Sequence, residues 1–296
     1  MNHYVALTDF HVRLLQAITD EEVIVVPRSN QRRRWLRAAP TVLRALVRCL
    51  VDPTARVIVS HPFNPVAALF LACARQAAFF DDGVAYYADS PIPRSRKSAV
   101  YRWLTRRHID WDQVRRSPNP GYGTVLAAAR IDTMYALFPD LLQAPHCRLV
   151  EIEGGRGRAA ARELPGDSAG AILFLDTREE YLRGVDQDGV IALLADRARE
   201  GSGQIFFKAH PSQRSSLSRR LDEQAWAREV TGVLEEWIDE ERIDEVYSFS
   251  SSGALSVAFV HPRAKILTLR SPAFAADSQA RLTALFDKIG AVDVAL

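Results

Sequence analysis

The chain has 296 residues, 48% of them hydrophobic and 25% charged, too long for one small core and too ordinary in composition for a collagen-like, disordered or disulfide-scaffold protein. The formal net charge of +2 hides a skew: of 38 basic residues, 4 are lysines and the other 34 arginines, and arginine is the better clamp for anions. Cys49, Cys73 and Cys147 are far apart with no Cys-x-x-Cys spacing, which reads as free thiols in a reducing compartment. No apolar run approaches the roughly 18 residues of a membrane span, and the first one, Tyr4 to Leu7, is too short for a signal peptide, so a cytoplasmic location is expected.

Short β-branched runs alternate with helix-length amphipathic segments, the pattern of crossover units on a parallel sheet. Strands are expected at Tyr4 to Leu7, Val23 to Val26, Val57 to Val59 and Ala78 to Phe80. Asp9 is placed to cap a helix from Phe10, in which Leu14, Leu15 and Ile18 recur at helical spacing. Pro40 is expected to open the next helix, with Leu43, Leu46, Val47 and Leu50 as its buried stripe, and Asn64-Pro65 a third, almost wholly apolar one through Ala74.

Between Pro91 and Pro120 the chain turns basic and aromatic, from Arg94 to Arg116 with Tyr101, Trp103 and Trp111 interleaved. Two readings stay open, an anion-binding or membrane-apposed surface and a solvated helical face with Tyr101 and Trp103 packed beneath it. A strand at Arg148 to Ile152 leads into a glycine-rich and charged stretch, Glu153 to Ser168, that reads as a linker. The alternation restarts at Ala171 to Leu175, continues at Ile205 to Lys208 and Val246 to Phe249, and finishes at Lys265 to Leu269, with a last helix at Ala280 to Ile289. Two doubly wound α/β halves joined near residue 160 follow, and in such sheets ligands sit beyond the carboxyl ends of the strands.

Three segments stand just after strands. Asp81-Asp82-Gly83 follows an aromatic strand; adjacent acids suit a general base, and an ordinary Asp-Gly turn is the plainer reading. Lys208-Ala-His210-Pro211 puts a cation and then a proline-restricted histidine at a sheet edge, able to favour phosphate charge and carry a proton. His61-Pro62 and His261-Pro262 repeat the dipeptide, with His61 the lesser candidate. Ser250-Ser251-Ser252-Gly253 starts a helix, where backbone amides and hydroxyls can cradle a phosphate. No Walker A, Gly-x-Gly-x-x-Gly, His-Glu-x-x-His or Gly-x-Ser-x-Gly pattern places the chain among P-loop NTPases, dehydrogenases, zincins or α/β-hydrolases.

In this order the three segments resemble the bacterial sialyltransferase and polysialyltransferase families, which share an acidic-acidic-Gly motif, a His-Pro motif and a later serine pair. The opening Val5 to Leu15, with Thr8 and Asp9 at its turn, looks like the lipooligosaccharide sialyltransferase branch. The resemblance implies a GT-B glycosyltransferase: an acceptor-side domain at 1–160, a CMP-sugar domain at 161–275, and a helix at 276–296 crossing back to the first, with a cleft between the domains. It implies inverting, metal-independent transfer of sialic acid, or a related nonulosonic or Kdo sugar, from a CMP donor to a glycan acceptor in capsule or lipooligosaccharide biosynthesis, with no cofactor.

Carried over, Asp81 is the general base with Asp82 beside it, and Thr8, Asp9 and Gly83 line the acceptor side. His210 protonates or hydrogen-bonds the departing phosphate, which Ser250, Ser251, Ser252 and Gly253 hold with Lys208 and Pro211. Glu235, or Glu236 after it, binds the ribose, and an acid near Asp176 is the substitute base. Two rivals remain, a nucleoside-diphosphate-sugar transferase or epimerase of the same fold and a non-catalytic polyanion binder. Arg94 to Arg116 is the expected peripheral contact with anionic membrane, and no nucleic-acid partner is expected.

Overall fold

The computed structural model describes the chain except residues 28–31, 82, 89–90, 93–95, 143–145, 153–169, 202–203, 211–212, 250, 274–275 and 295–296; for residues 9, 32, 96–98, 235, 239 and 276–278 only the backbone is described. The chain divides into two compact units, Met1–Gly154 and Gly155–Leu296. Each is built on a sheet whose described ladders are all parallel.

The first unit runs β1 (Asn2–Ala6), α1 (Asp9–Ile18), β2 (Val23–Val25), α2 (Arg32–Val51), β3 (Arg56–Val59), α3 (Pro65–Cys73) and β4 (Gln76–Phe80). It continues through α4 (Val84–Tyr87), α5 (Arg96–Thr105), α6 (Trp111–Arg116), α7 (Tyr122–Ala127), β5 (Thr133–Ala136) and β6 (Arg148–Glu151). The strand order β2-β1-β3-β4-β5-β6 is that of an extended flavodoxin-like sheet. Phe79 pairs with Val59 on one side and Met134 on the other, at the buried centre of the sheet. The unbroken apolar run from Ala77 to Phe80 is what a strand covered on both faces requires.

The second unit runs β7 (Ala171–Leu175), α8 (Gln187–Glu200), β8 (Ile205–Lys208), α9 (Ser216–Asp222), β9 (Ala227–Glu229) and α10 (Leu234–Glu240), then β10 (Ile243–Ser248), α11 (Ser252–Val260), β11 (Lys265–Leu269), α12 (Ala276–Lys288) and β12 (Val292–Val294). Its order, β12-β11-β10-β7-β8-β9, is the Rossmann order with β7 at the centre. Phe174, Phe207, Tyr247, Leu194 and Leu217 meet in its core. The fold class expected from the sequence, two Rossmann-like α/β halves, is what forms.

Several local expectations are corrected. Thr8, not Asp9, caps α1: its hydroxyl accepts the His11 N–H at 3.2 Å. Pro40 lies inside α2 rather than at its start, on an exposed side where water can satisfy the carbonyl that loses its partner. The buried face of α2 is Val42, Ala45 and Cys49, while Leu43 is 63% and Leu50 70% exposed. Small side chains let the helix approach its neighbours, and that packing overrides the preference for burying the larger leucines. Trp103 is exposed and lies under the Arg106 guanidinium, 5.3 Å from its ring centre, instead of packing beneath the basic face. Trp111 is buried and donates to Thr105 Oγ1 at 3.0 Å.

Strands β5, β9 and β12 lack a counterpart in the sequence reading, and the linker expected at Glu153 to Ser168 lies outside the described residues. The three cysteines are free thiols, Cys49 buried and the others partly so. Among the described residues no helix is long and apolar enough to cross a membrane.

Candidate active site

In the first unit, β4 delivers Asp81 to the carboxyl edge of the sheet. Gly83, two residues on, has φ 75°, a left-handed conformation that glycine takes without a Cβ clash. That turn folds the chain back so that three donors converge on one carboxylate, which is 0% exposed. Oδ1 accepts the Gly83 N–H at 2.7 Å; Oδ2 accepts the Leu137 N–H at 3.1 Å and the Tyr87 hydroxyl. Tyr87 Oη in turn accepts the Phe138 N–H at 3.1 Å. Burial, with Asp81 beside it, pushes the Tyr87 phenol well above its ordinary value, so it remains a donor. Asp81 thus ties the end of β4, helix α4 and the segment after β5 together. Asp82 lies outside the described residues.

The same edge carries an aromatic group that sequence reading did not assemble. Tyr86 donates to the Ser60 carbonyl at 2.7 Å, and the Tyr122 ring meets those of Tyr86, Phe63 and His61 edge-on at 5.5, 5.3 and 5.9 Å. His61 follows β3, and its Nδ1 accepts the Phe63 N–H at 3.0 Å. His11 packs edge-on against Phe80 at 5.0 Å, its Nδ1 accepting the Leu7 N–H at 3.2 Å. Thr8 therefore sits on this edge as a helix cap, while the side chain of Asp9 lies outside the described residues. No short spacing announces Tyr86 and Tyr122, which are brought together across the sheet edge by α4 and α7.

In the second unit the chain order reverses at β7, and crevices of doubly wound sheets open at such points. Lys208 ends β8 and His210 follows it on one side of β7; Ser251, Ser252 and Gly253 follow β10 on the other. Ser251 caps α11: its hydroxyl accepts the Gly253 N–H at 3.1 Å, and its own N–H donates to Ser248 Oγ at 2.9 Å. Ser252, the first helical residue, is exposed. Gly253 is a packing glycine: a Cβ there would lie 2.8 Å from Leu234 Cδ2 and 3.2 Å from Leu175 Cδ1. α10 is thereby seated beside the serine turn. Glu236 on α10 is exposed; the side chain of Glu235, with Pro211 and Ser250, lies outside the described residues.

Lys208 Nζ donates to the carbonyls of Val230 at 2.9 Å and Gly232 at 2.6 Å, so it fastens the connection from β9 to α10. His210 is half-buried. Desolvation, helped by the Arg178 charge and opposed by Asp176 and Glu180, holds its imidazole below the ordinary value of 6.5. Asp176, directly after β7, is buried, which pushes its carboxyl up against the bonds from Ser218 and Ser215. Ser215 Oγ donates to it at 2.9 Å, Ser218 Oγ donates to its other oxygen, and Glu179 takes the Ser216 N–H at 2.6 Å. The acids near Asp176 thus anchor the start of α9. His261 is set aside, since it ends α11 and contacts the Ile238 carbonyl, at the opposite end of that helix from the serine turn.

A model of the alpha-2,8-polysialyltransferase family matches residues 71–262, well over half of the chain. The chain belongs to the alpha-2,8-polysialyltransferase family. It is a glycosyltransferase of the sialyltransferase type, and the matched span holds Asp81, His210 and the serine turn. Solved structures similar to this polysialyltransferase-family chain include the glycotransferase of kitacinnamycin (10% identity, TM-score 0.42, 99% of this chain and 78% of that one). Others are Acinetobacter baumannii MurG (14%, 0.37, 99% and 76%) and Arabidopsis thaliana UGT89C1 (11%, 0.38, 100% and 84%). No curated protein matches the family member significantly. Among its described residues no group of three or more His, Cys, Asp and Glu side chains is placed to hold a metal ion.

Proposed function

We propose that the chain moves sialic acid, or a related nonulosonic or Kdo sugar, from its CMP donor to a glycan acceptor, inverting the anomeric centre without a metal. The two units are read as the acceptor and donor halves of a GT-B transferase. The observation that carries the donor assignment is the pairing of His210 and the Ser251 turn after the two strands that flank β7. A CMP-linked sugar carries a single phosphodiester charge. A helix amino terminus, hydroxyls and one imidazole can meet that charge, where a diphosphate calls for more. His210 donates to the phosphate as the bond to the sugar breaks. Ser251 and Ser252 hold the phosphate at the start of α11, joined by Ser250, and Glu235 of α10 takes the ribose hydroxyls. Lys208 supports the loop beneath them through its two carbonyl contacts.

On the acceptor half, the base comes from the Asp81–Asp82 pair. Asp81 has no exposure to water, so an acceptor hydroxyl reaches it only if the groups around it give way, and the two carboxylates predict different mutants. The partly exposed rings of His61 and Tyr122, backed by the buried Tyr86, offer faces and edges to a glycan of capsule or lipooligosaccharide type. The binding test is differential protection: CMP should raise the melting temperature, with UDP and GDP giving little. Stabilisation by UDP in place of CMP would favour a nucleoside-diphosphate-sugar enzyme, and no response to any nucleotide would favour a polyanion binder.

A further inference from the structure

Helix α2 carries apolar residues on two adjacent arcs. The arc of Val42, Ala45 and Cys49 is buried, while Leu36, Leu43, Val47 and Leu50 are each at least half exposed. Their spacing of seven, four and three residues places them on one stripe along the helix. Arg33, Arg37, Arg44 and Arg48, all exposed, form a second stripe about 100° further round at 3.6 residues per turn. No acidic residue occurs between Arg32 and Val51. α2 packs against α3, and α3 against α5. Right-handed crossovers, the rule for such units, put these helices on one face of the sheet. α5 adds exposed Val100 and Trp103, with Arg106 over the Trp103 ring, and no acid occurs from Pro91 to Ile109.

Charge decides what covers this face. A second copy of the chain seated on it would bring arginine rows of one sign together. An anionic lipid surface instead receives leucines at acyl depth and guanidiniums at the headgroups. We propose that the α2–α3–α5 face of the first unit docks on an anionic bilayer, with α2 lying in the plane of the interface. The basic stretch from Arg94 to Arg116 contributes α5 to that face, while the apolar contact comes chiefly from α2. This surface is independent of the CMP-sugar reading.

The test is flotation of the full chain with phosphatidylcholine vesicles, with and without phosphatidylglycerol. The chain should float only with the anionic vesicles. Leu43→Ser with Leu50→Ser, which leaves every charge in place, should cost at least about tenfold in binding, because both side chains lose their acyl contact. Arg33→Ala with Arg37→Ala and Arg44→Ala should cost roughly a hundredfold, at about fivefold for each arginine near an anionic surface. All five side chains are exposed, so both variants should melt like the parent. Failure to float, equal flotation with neutral vesicles, or flotation of the folded variants like the parent would overturn the proposal. So would a dimer in size-exclusion chromatography that the serine variant dissociates, since the face would then belong to self-association.

Discussion

Replacing Asp81 by asparagine keeps the volume of the side chain and removes what holds the β4 edge together. The carboxylate accepts from the Gly83 N–H, the Leu137 N–H and the Tyr87 hydroxyl with no exposure to water. An amide has one oxygen to offer, so whichever way it is flipped one buried backbone N–H faces a donor. Leaving that N–H unpaired costs about 1–3 kcal/mol, and losing the charge-assisted bond from the phenol about 1.5–3 more, together roughly 2.5–6 kcal/mol. For a unit of this size, at about 2–4 °C per kcal/mol, the melting temperature should fall by about 5–24 °C.

Tyr87→Phe is the matched control. It leaves Asp81 both amide bonds, removes the same charge-assisted bond from the phenol and orphans the part-buried Phe138 N–H, so it should cost about 1.5–3 kcal/mol for the lost bond plus a smaller share for an amide that water can partly reach. Thermal melts of the two variants and of Asp82→Asn, each followed by turnover of CMP-sialic acid below the melting range, separate holding from chemistry. If Asp81 takes the acceptor proton, its asparagine variant loses about 10²- to 10⁴-fold in rate while Tyr87→Phe stays within a few-fold of the parent. If Asp82 does, the rate loss moves to that variant. An Asp81→Asn protein that melts and turns over like the parent would refute both the anchoring and the catalytic argument.

His210, held below 6.5, is mostly neutral in the free protein at pH 7, and an adjacent phosphate should raise its pKa. CMP binding should therefore take up a proton and weaken as pH rises. Calorimetry in buffers of different ionisation enthalpy measures that uptake, and His210→Gln should abolish it. Because the folded-state pKa is depressed, the neutral ring contributes stability that is present above about 6.5 and lost as pH falls through the folded value. The parent's melting temperature should drop more steeply on acidification than that of the glutamine variant. Gly253→Ala places a methyl 2.8 Å from Leu234 Cδ2 and should cost about 1–3 kcal/mol by overpacking. It should also weaken CMP binding by tilting the start of α11; unchanged melting and CMP affinity would show that α10 gives way freely.

The strand-then-polar pattern was legible because buried parallel strands need continuous apolar runs, and Phe79-Phe80, Ile205-Phe206-Phe207 and Val246-Tyr247 supply them. The same pattern put His210 and the serine turn at the carboxyl ends of β8 and β10. Strands β9 and β12, three residues each, are too short for periodicity to reveal and exist by pairing at sheet edges. The α2 stripe was inverted because its apolar residues span more than one face, and size alone ranks Leu43 above Ala45. Tyr87 was hidden because its bond to Asp81 depends on the Gly83 turn, and Tyr122 because nothing in the sequence ties it to His61. Asp176 read as a spare base, and its two serine donors lie on a helix dozens of residues away.

The central claim is that a CMP-linked sugar is the donor. It is tested most directly by following purified protein with CMP-sialic acid and a glycan acceptor, in the presence of a chelator, by proton NMR. The account predicts release of CMP together with a new glycosidic bond of inverted anomeric configuration, both lost in His210→Ala. An intact donor, or a product that retains the donor's configuration, would contradict it.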